Sequence, residues 1–190
     1  MAAAFKRIAR EGFEGLRTRD VATDVGLNVA TLHYYFPTKE GLIRGVVGYA
    51  MNRFRSTLAP AATPGGQLAA HFAGVRRLHR EEPELFAVMG EVAQRAARDP
   101  AIAAIFAEMT EAWHTVLRAL IKRAQADGAI DQTLNPDATA SLVIASLRGL
   151  FMVPVATTSQ AEVARSLIEL ERLIGLGGRA RARPGAPRRR

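Results

Sequence analysis

Residues 16–40 read LRTRDVATDVGLNVATLHYYFPTKE, and this stretch decides the fold. Two short amphipathic segments flank Val25, Gly26, Leu27 and Asn28. Gly26 is placed to end one helix, because glycine enters the left-handed backbone region without steric cost. Asn28 is placed to cap the next with its side-chain oxygen, Pro37 to stop that helix, and Thr38 to cap the one after it. A glycine-centred turn of this length between two short helices is the pattern of a helix-turn-helix, whose second helix enters a DNA major groove.

With Leu32 set inward on a helical wheel, Tyr35 and Phe36 fall within about 60° of it and are expected to pack inward. Ala30 and Tyr34 point away, and Thr31 and His33 lie on the flanks. Ala30 allows close approach to a groove, Thr31 and Tyr34 offer hydroxyls to phosphates, and His33 suits a phosphate or a base edge. Lys39, one turn beyond Pro37, is placed to hold the DNA backbone. The preceding helix, residues 18–25, is expected to turn Val21, Ala22 and Val25 inward, with Thr18 as its cap and Asp20 in its first turn.

Outward from this unit the whole chain reads as helical, about nine helices with no useful strand alternation, which gives an all-α fold. Phe5, Ile8, Phe13 and Leu16 recur at helical steps, with Gly12 as a stop. Residues 38–59 form a connector helix turning Leu42, Ile43, Val46 and Val47 inward. On it Gly41, Gly45 and Gly48 fall on one side, a pattern of close packing combined with a soft connector. Pro60 to Gly66 marks a domain boundary. Further helices are expected over residues 67–80, 84–98, 100–126, 137–155 and 159–174. The resulting organisation is a DNA-binding domain at 1–59, a larger ligand-binding and dimerisation domain at 60–174, and a basic, disordered tail at 175–190.

The 190 residues are 48% hydrophobic and carry a net charge of +8. Residues 1–58 hold nine Lys/Arg against five Asp/Glu, residues 59–174 eleven against thirteen, and residues 175–190 six Arg and no acid. Basic ends around a near-neutral middle suit a polyanion such as DNA. The chain has no cysteine, which excludes disulfides and thiolate sites and fits a reducing cytoplasm. The N-terminus has no apolar signal core, and the most apolar run, residues 138–156, is broken by Arg148 and is too polar for a membrane span. No HExxH metal motif or strained serine turn is present. Glu111 and His114 have the spacing of a carboxylate-bridged metal bundle, but such a site needs a second copy, so no metal or cofactor is expected.

Together, Gly12-Phe13, the run Arg19 to Ala22, Gly26 to Asn28, Thr31-Leu32, Tyr35-Phe36 and the run Thr38 to Leu42 resemble the DNA-binding domain of the TetR/AcrR family of bacterial transcriptional regulators. The resemblance covers about residues 2–58. It implies a homodimer whose two third helices read a near-palindromic operator in double-stranded DNA. It further implies that Thr18, Thr31, Tyr35 and Lys39 hold phosphates, and that Arg19, Val29, Ala30 and His33 meet base edges. Arg19 is the leading base reader, since Arg pairs bidentately with guanine. Two positions depart from the family pattern: His33 stands where Tyr is usual, and Arg17, a possible phosphate contact, where Ser or Thr is usual near the helix start.

The larger domain resembles the family in architecture only. Its expected role is to take a small apolar or aromatic effector and so release DNA, which makes the chain a repressor. Pocket candidates are Phe72, Phe86, Met89, Phe106, Met109, Trp113 and Leu117, with His71, His114 and Arg148 as polar handles. Dimer candidates on the last two helices are Leu142, Ile144, Leu147, Phe151, Leu167 and Leu170. The competing expectation is a helical-bundle binding protein or enzyme with a vestigial helix-turn-helix.

Overall fold

The computed structural model describes residues 1–152 and 159–176. Among them are nine α-helices, one 3-10 turn and no strand. The helices are α1 (Ala2–Glu11), α2 (Thr18–Asp24), α3 (Val29–Tyr35), α4 (Lys39–Ser56), α5 (Pro64–Glu81), α6 (Pro83–Ala96), α7 (Pro100–Ala126), α8 (Pro136–Met152) and α9 (Gln160–Leu173), with the 3-10 turn at Phe13–Gly15.

Local chemistry sets the boundaries. The Asn28 side chain accepts from the Ala30 N–H, Thr38 from Gly41 and Ser159 from Ala161. Asp99 accepts from Ala101 and Ile102 ahead of the proline that starts α7. Helix α2 ends in a Schellman motif: Leu27 N–H bonds Ala22 O at 2.9 Å, Gly26 N–H bonds Thr23 O at 3.1 Å, and Gly26 has φ +67°.

Several expectations need correction. Thr18 does not cap α2; it is the first helical residue, and the capping position holds Arg17, which has no short side-chain acceptor. Val25 is 45% exposed, because the helix has already ended there. Helix α5 starts at Pro64, three residues early, since Thr63 caps it by accepting from Gly66. That cap outweighs the poor helix propensity of two glycines, and a Cβ on Gly65 would sit 2.4 Å from the Ala129 Cβ. Gly175 and Leu176 are not tail. A second Schellman motif, Leu176 N–H to Glu171 O and Gly175 N–H to Arg172 O, closes α9 and buries Leu176 in the core. The arginine-rich remainder, 177–190, and the end of the apolar run at 153–158 lie outside the described residues.

One apolar core runs from α1 to α9. Helix α1 packs on α4 and on α6, so the N-terminal helices rest on the larger bundle. The N-terminal part of α4 places Leu42, Ile43 and Val46 in the core beside Phe5 and Ile8, while its C-terminal half drives Phe54 among Phe86, Trp113 and Phe151, with ring centroids 5.5, 6.2 and 5.6 Å away. Gly45 and Gly48 of α4 serve different ends. A Cβ at Gly45 would meet the Met1 sulfur at 2.5 Å, whereas at Gly48 it would meet nothing within 4 Å.

Candidate nucleic-acid interface and ligand cleft

Helix α3 is seven residues long, only two turns, and buries just one side chain, Leu32. Everything else on it faces outward or is half-buried. Ala30, Thr31 and His33 are exposed, Val29 is half-buried, Tyr34 is 81% exposed and Tyr35 65%. The inward placement expected for Tyr35 is therefore wrong. Its ring stands edge-on to Tyr34 at 5.3 Å, and both hydroxyls are available to a backbone phosphate. Phe36 is half-buried against the core, but as the terminating residue, with φ −134° and ψ 81°, not as a helical one.

The surrounding charges define a cationic rim. Arg17, Arg19 and Lys39 are exposed. Neither Arg17 nor Arg19 has a carboxylate partner among the described residues, while Lys39 Nζ reaches the Phe13 carbonyl at 3.5 Å. The acids of α2 point elsewhere: Asp24 accepts two bonds from Arg7, at 2.5 and 2.8 Å, and Asp20 lies 3.7 Å from the same guanidinium. The Arg7 bond holds the Asp24 carboxyl below its ordinary pKa. Arg7 thus neutralises the α2 carboxylates on the α1 side and locks α2 to α1, leaving the α3 face without a repelling acid from α2.

A cleft of about 540 Å³ opens between α4 and α7. Val47, Met51, Phe54, Ile105, Met109 and Trp113 contribute its apolar wall, and Gly48 leaves it room. Arg44 of α4 bonds Glu108 of α7 across it, and Arg55, bonded to Asn52 at 3.0 Å, stands at its edge. Of the residues expected to line a pocket, only Met109 and Trp113 do. Phe72, Phe86, Met89 and Leu117 are fully packed core, as is His71. Phe106 is buried under Arg148, whose guanidinium carbon lies 4.5 Å from the ring centroid. His114 and Arg148 line a separate, polar groove between α7 and α8. In it the His114 Nε2 faces both Ser141 Oγ and the Asp137 carbonyl at 3.2 Å. Serine and aspartate thus meet one ring nitrogen, not opposite ones, which is not a relay for hydrolysis. The α4 half of the cleft was missed because α4 reads as a connector.

His71 is fully buried in the wall behind the cleft, and burial pushes its pKa down to about 4. The unfolded chain binds this proton near 6.5 and the folded chain does not. Stability is therefore complete above pH 6.5, falls between there and about pH 4 by roughly 1 kcal/mol per pH unit, about 3 kcal/mol in all, and levels off below. Urea unfolding at pH 7, 5.5 and 4.5 should show this slope, and His71→Leu should flatten it. An equal slope in both proteins would assign acid sensitivity to other groups.

Of the six expected dimer residues, only Leu142 is exposed, at 53%. Ile144, Leu147, Phe151, Leu167 and Leu170 are buried within the protomer, so they are core and not surface. The exposed residues of α8 are instead Asp137 in its first turn and then Ala138, Ser141, Leu142, Ala145, Ser146, Gly149 and Met152, a face with no charge beyond Asp137, and α9 adds exposed Ile168 and Leu173.

Residues 1–46 match the family described as bacterial regulatory proteins, tetR family. Residues 64–174, more than half the chain, match the C-terminal domain of BetI-type transcriptional repressors. No curated protein matches the chain. Among solved structures, a TetR-family transcriptional regulator from Rhodococcus sp. is 25% identical, with TM-score 0.81 over 91% of this chain and 94% of that one. A TetR transcription regulator from Haloarcula marismortui is 18% identical, with TM-score 0.78 over 91% and 94%. A regulator from Saccharomonospora viridis, solved with choline, is 20% identical, with TM-score 0.70 over 90% and 92%. With its capped helix-turn-helix, its all-helical larger domain and both family matches, the chain belongs to the TetR family of bacterial transcriptional regulators.

Proposed function

We propose that this regulator is a cytoplasmic repressor. Two copies, joined through the largely uncharged face of α8 with α9, place their α3 helices in successive major grooves of a near-palindromic operator. Arg19, Ala30 and His33 read base edges, while Thr31, Tyr34, Tyr35 and Lys39 hold phosphates. A small apolar ligand in the α4–α7 cleft releases the DNA. The observation that carries this reading is the double duty of α4. Its residues Leu42, Ile43 and Val46 belong to the core beneath the DNA-binding helices, and its residues Val47, Gly48, Met51 and Phe54 wall the cleft. A ligand that pushes α4 from α7 therefore moves the base of α3, provided it binds the shifted form more tightly. A cation such as the choline of the S. viridis protein fits less well, because Glu108, the one carboxylate among the cleft-lining residues, is already paired with Arg44.

Gly48→Trp tests the coupling. The new side chain starts in open space on the cleft lining, where its Cβ meets no clash and its apolar ring is favoured against the cleft wall over water. The variant should stay a folded dimer and lose at least tenfold in operator affinity, as read by fluorescence anisotropy. Unchanged affinity in a folded dimer would disconnect the cleft from DNA binding.

A further inference from the structure

Behind the cleft lie two buried polar atoms with no partner in the protein, His71 Nε2 and Trp113 Nε1. Native interiors rarely leave such groups unpaired. The Thr57 hydroxyl donates to the Phe54 carbonyl at 2.6 Å, and its oxygen also lies 2.6 Å from His71 Nδ1. A hydroxyl has one proton. With that proton on Phe54 O, the Thr57 oxygen accepts from Nδ1–H, and the His71 proton is assigned to Nδ1. Nε2 is then a bare acceptor, and burial keeps the ring neutral. Trp113 supplies the opposite need, since its indole N–H can only donate. The two rings stand edge to face with centroids 6.2 Å apart, and Trp113 lines the cleft.

Resting on the cleft reading above, we infer that the effector carries a neutral hydroxyl on an apolar body; neither nitrogen reaches the cleft surface in this structure, so the ligand that parts α4 from α7 opens the wall, and its hydroxyl then accepts from Trp113 Nε1–H and donates to His71 Nε2. A carboxylate could only accept, so it would leave Nε2 unpaired and bury a charge. An alkane would leave both nitrogens unpaired. A hydroxyl alone among these both donates and accepts. The body would lie along Met51, Met109 and Val47 toward the Arg44–Glu108 pair.

Trp113 is the one tryptophan of the chain, so its emission reports on this spot directly. The full-length protein is titrated with 1-hexanol, hexane and hexanoate, which share a body and differ at the head. An unpaired hydroxyl entering an apolar cleft binds more weakly than the matching alkane, because it leaves its water partners behind. The expected result is that hexanol shifts Trp113 emission and binds at least as tightly as hexane, and at least tenfold tighter than hexanoate. His71→Leu should weaken hexanol at least tenfold and leave hexane within twofold. Trp113→Phe, followed by calorimetry, should weaken hexanol at least tenfold more than it weakens hexane, and it covers the case in which His71→Leu does not fold. Hexanol weaker than hexane in the wild type would mean that the two nitrogens hold water or nothing, and would overturn the inference while keeping the cleft. Hexanoate tighter than hexanol would overturn it in favour of an anion on Arg55. No response to any of the three probes would overturn the cleft as a ligand site, and the inference with it.

Discussion

Arg19→Ala is expected to cost the dimer roughly 2–6 kcal/mol of operator affinity, thirtyfold or more, with no change in thermal stability. The arithmetic follows from geometry. A bidentate arginine–guanine pair is worth about 1–3 kcal/mol, and a two-fold symmetric dimer makes it twice. Arg19 sits in the first turn of α2, exposed, with no carboxylate partner among the described residues. Its removal therefore leaves the fold intact. Asp20 and Asp24, the acids nearest in sequence, are held by Arg7 and do not compensate it. Comparison of operator with scrambled duplex separates two roles. If Arg19 reads a base, the loss concentrates on the operator. If it holds a phosphate, both duplexes weaken alike and the salt slope falls by about one per copy. Retained selectivity with unchanged affinity would remove Arg19 from the interface.

Leu142→Arg should have an effect as large by another route. The side chain is 53% exposed in the protomer, so the substitution costs the monomer little. In a two-fold interface each copy would bury an uncompensated guanidinium opposite its twin, at about 3 kcal/mol or more per copy. Sedimentation should show a monomer at micromolar concentration, and operator affinity should fall to that of a half-site. A stable Leu142→Arg dimer would move the interface elsewhere, to the exposed Ile168 and Leu173 of α9 or beyond.

The sequence disclosed the fold well because its punctuation is chemical. Asn28, Thr38 and Asp99 cap the helices they precede, and Gly26 and Gly128 adopt the positive φ that a Schellman end requires. The outward face of α3 was legible for a similar reason, since one leucine fixes the wheel. Tyr35 and Phe36 escaped it because a wheel assumes a continuing helix, and this one ends between them. The cleft was less legible. Periodicity marks the apolar side of α7 but cannot tell a residue that fills the core from one that lines a void, and both Phe72 and Trp113 satisfy it. The α4 wall lay hidden in a helix already assigned to the DNA-binding domain. The outward side of α8 and α9 was misjudged for a related reason. The large apolar residues of α8 and α9 turn to their own core, and what faces outward on α8 is largely Ala, Ser and Gly, whose small size gives little hydropathy signal.

The most direct measurement of the central claim is anisotropy titration of the full-length protein on duplexes tiling the DNA that flanks its gene, with random duplex as competitor at fixed salt. One segment of near two-fold sequence should bind as protein dimer to one duplex, about a thousandfold or more tighter than random DNA. Equal affinity for every duplex would contradict the account.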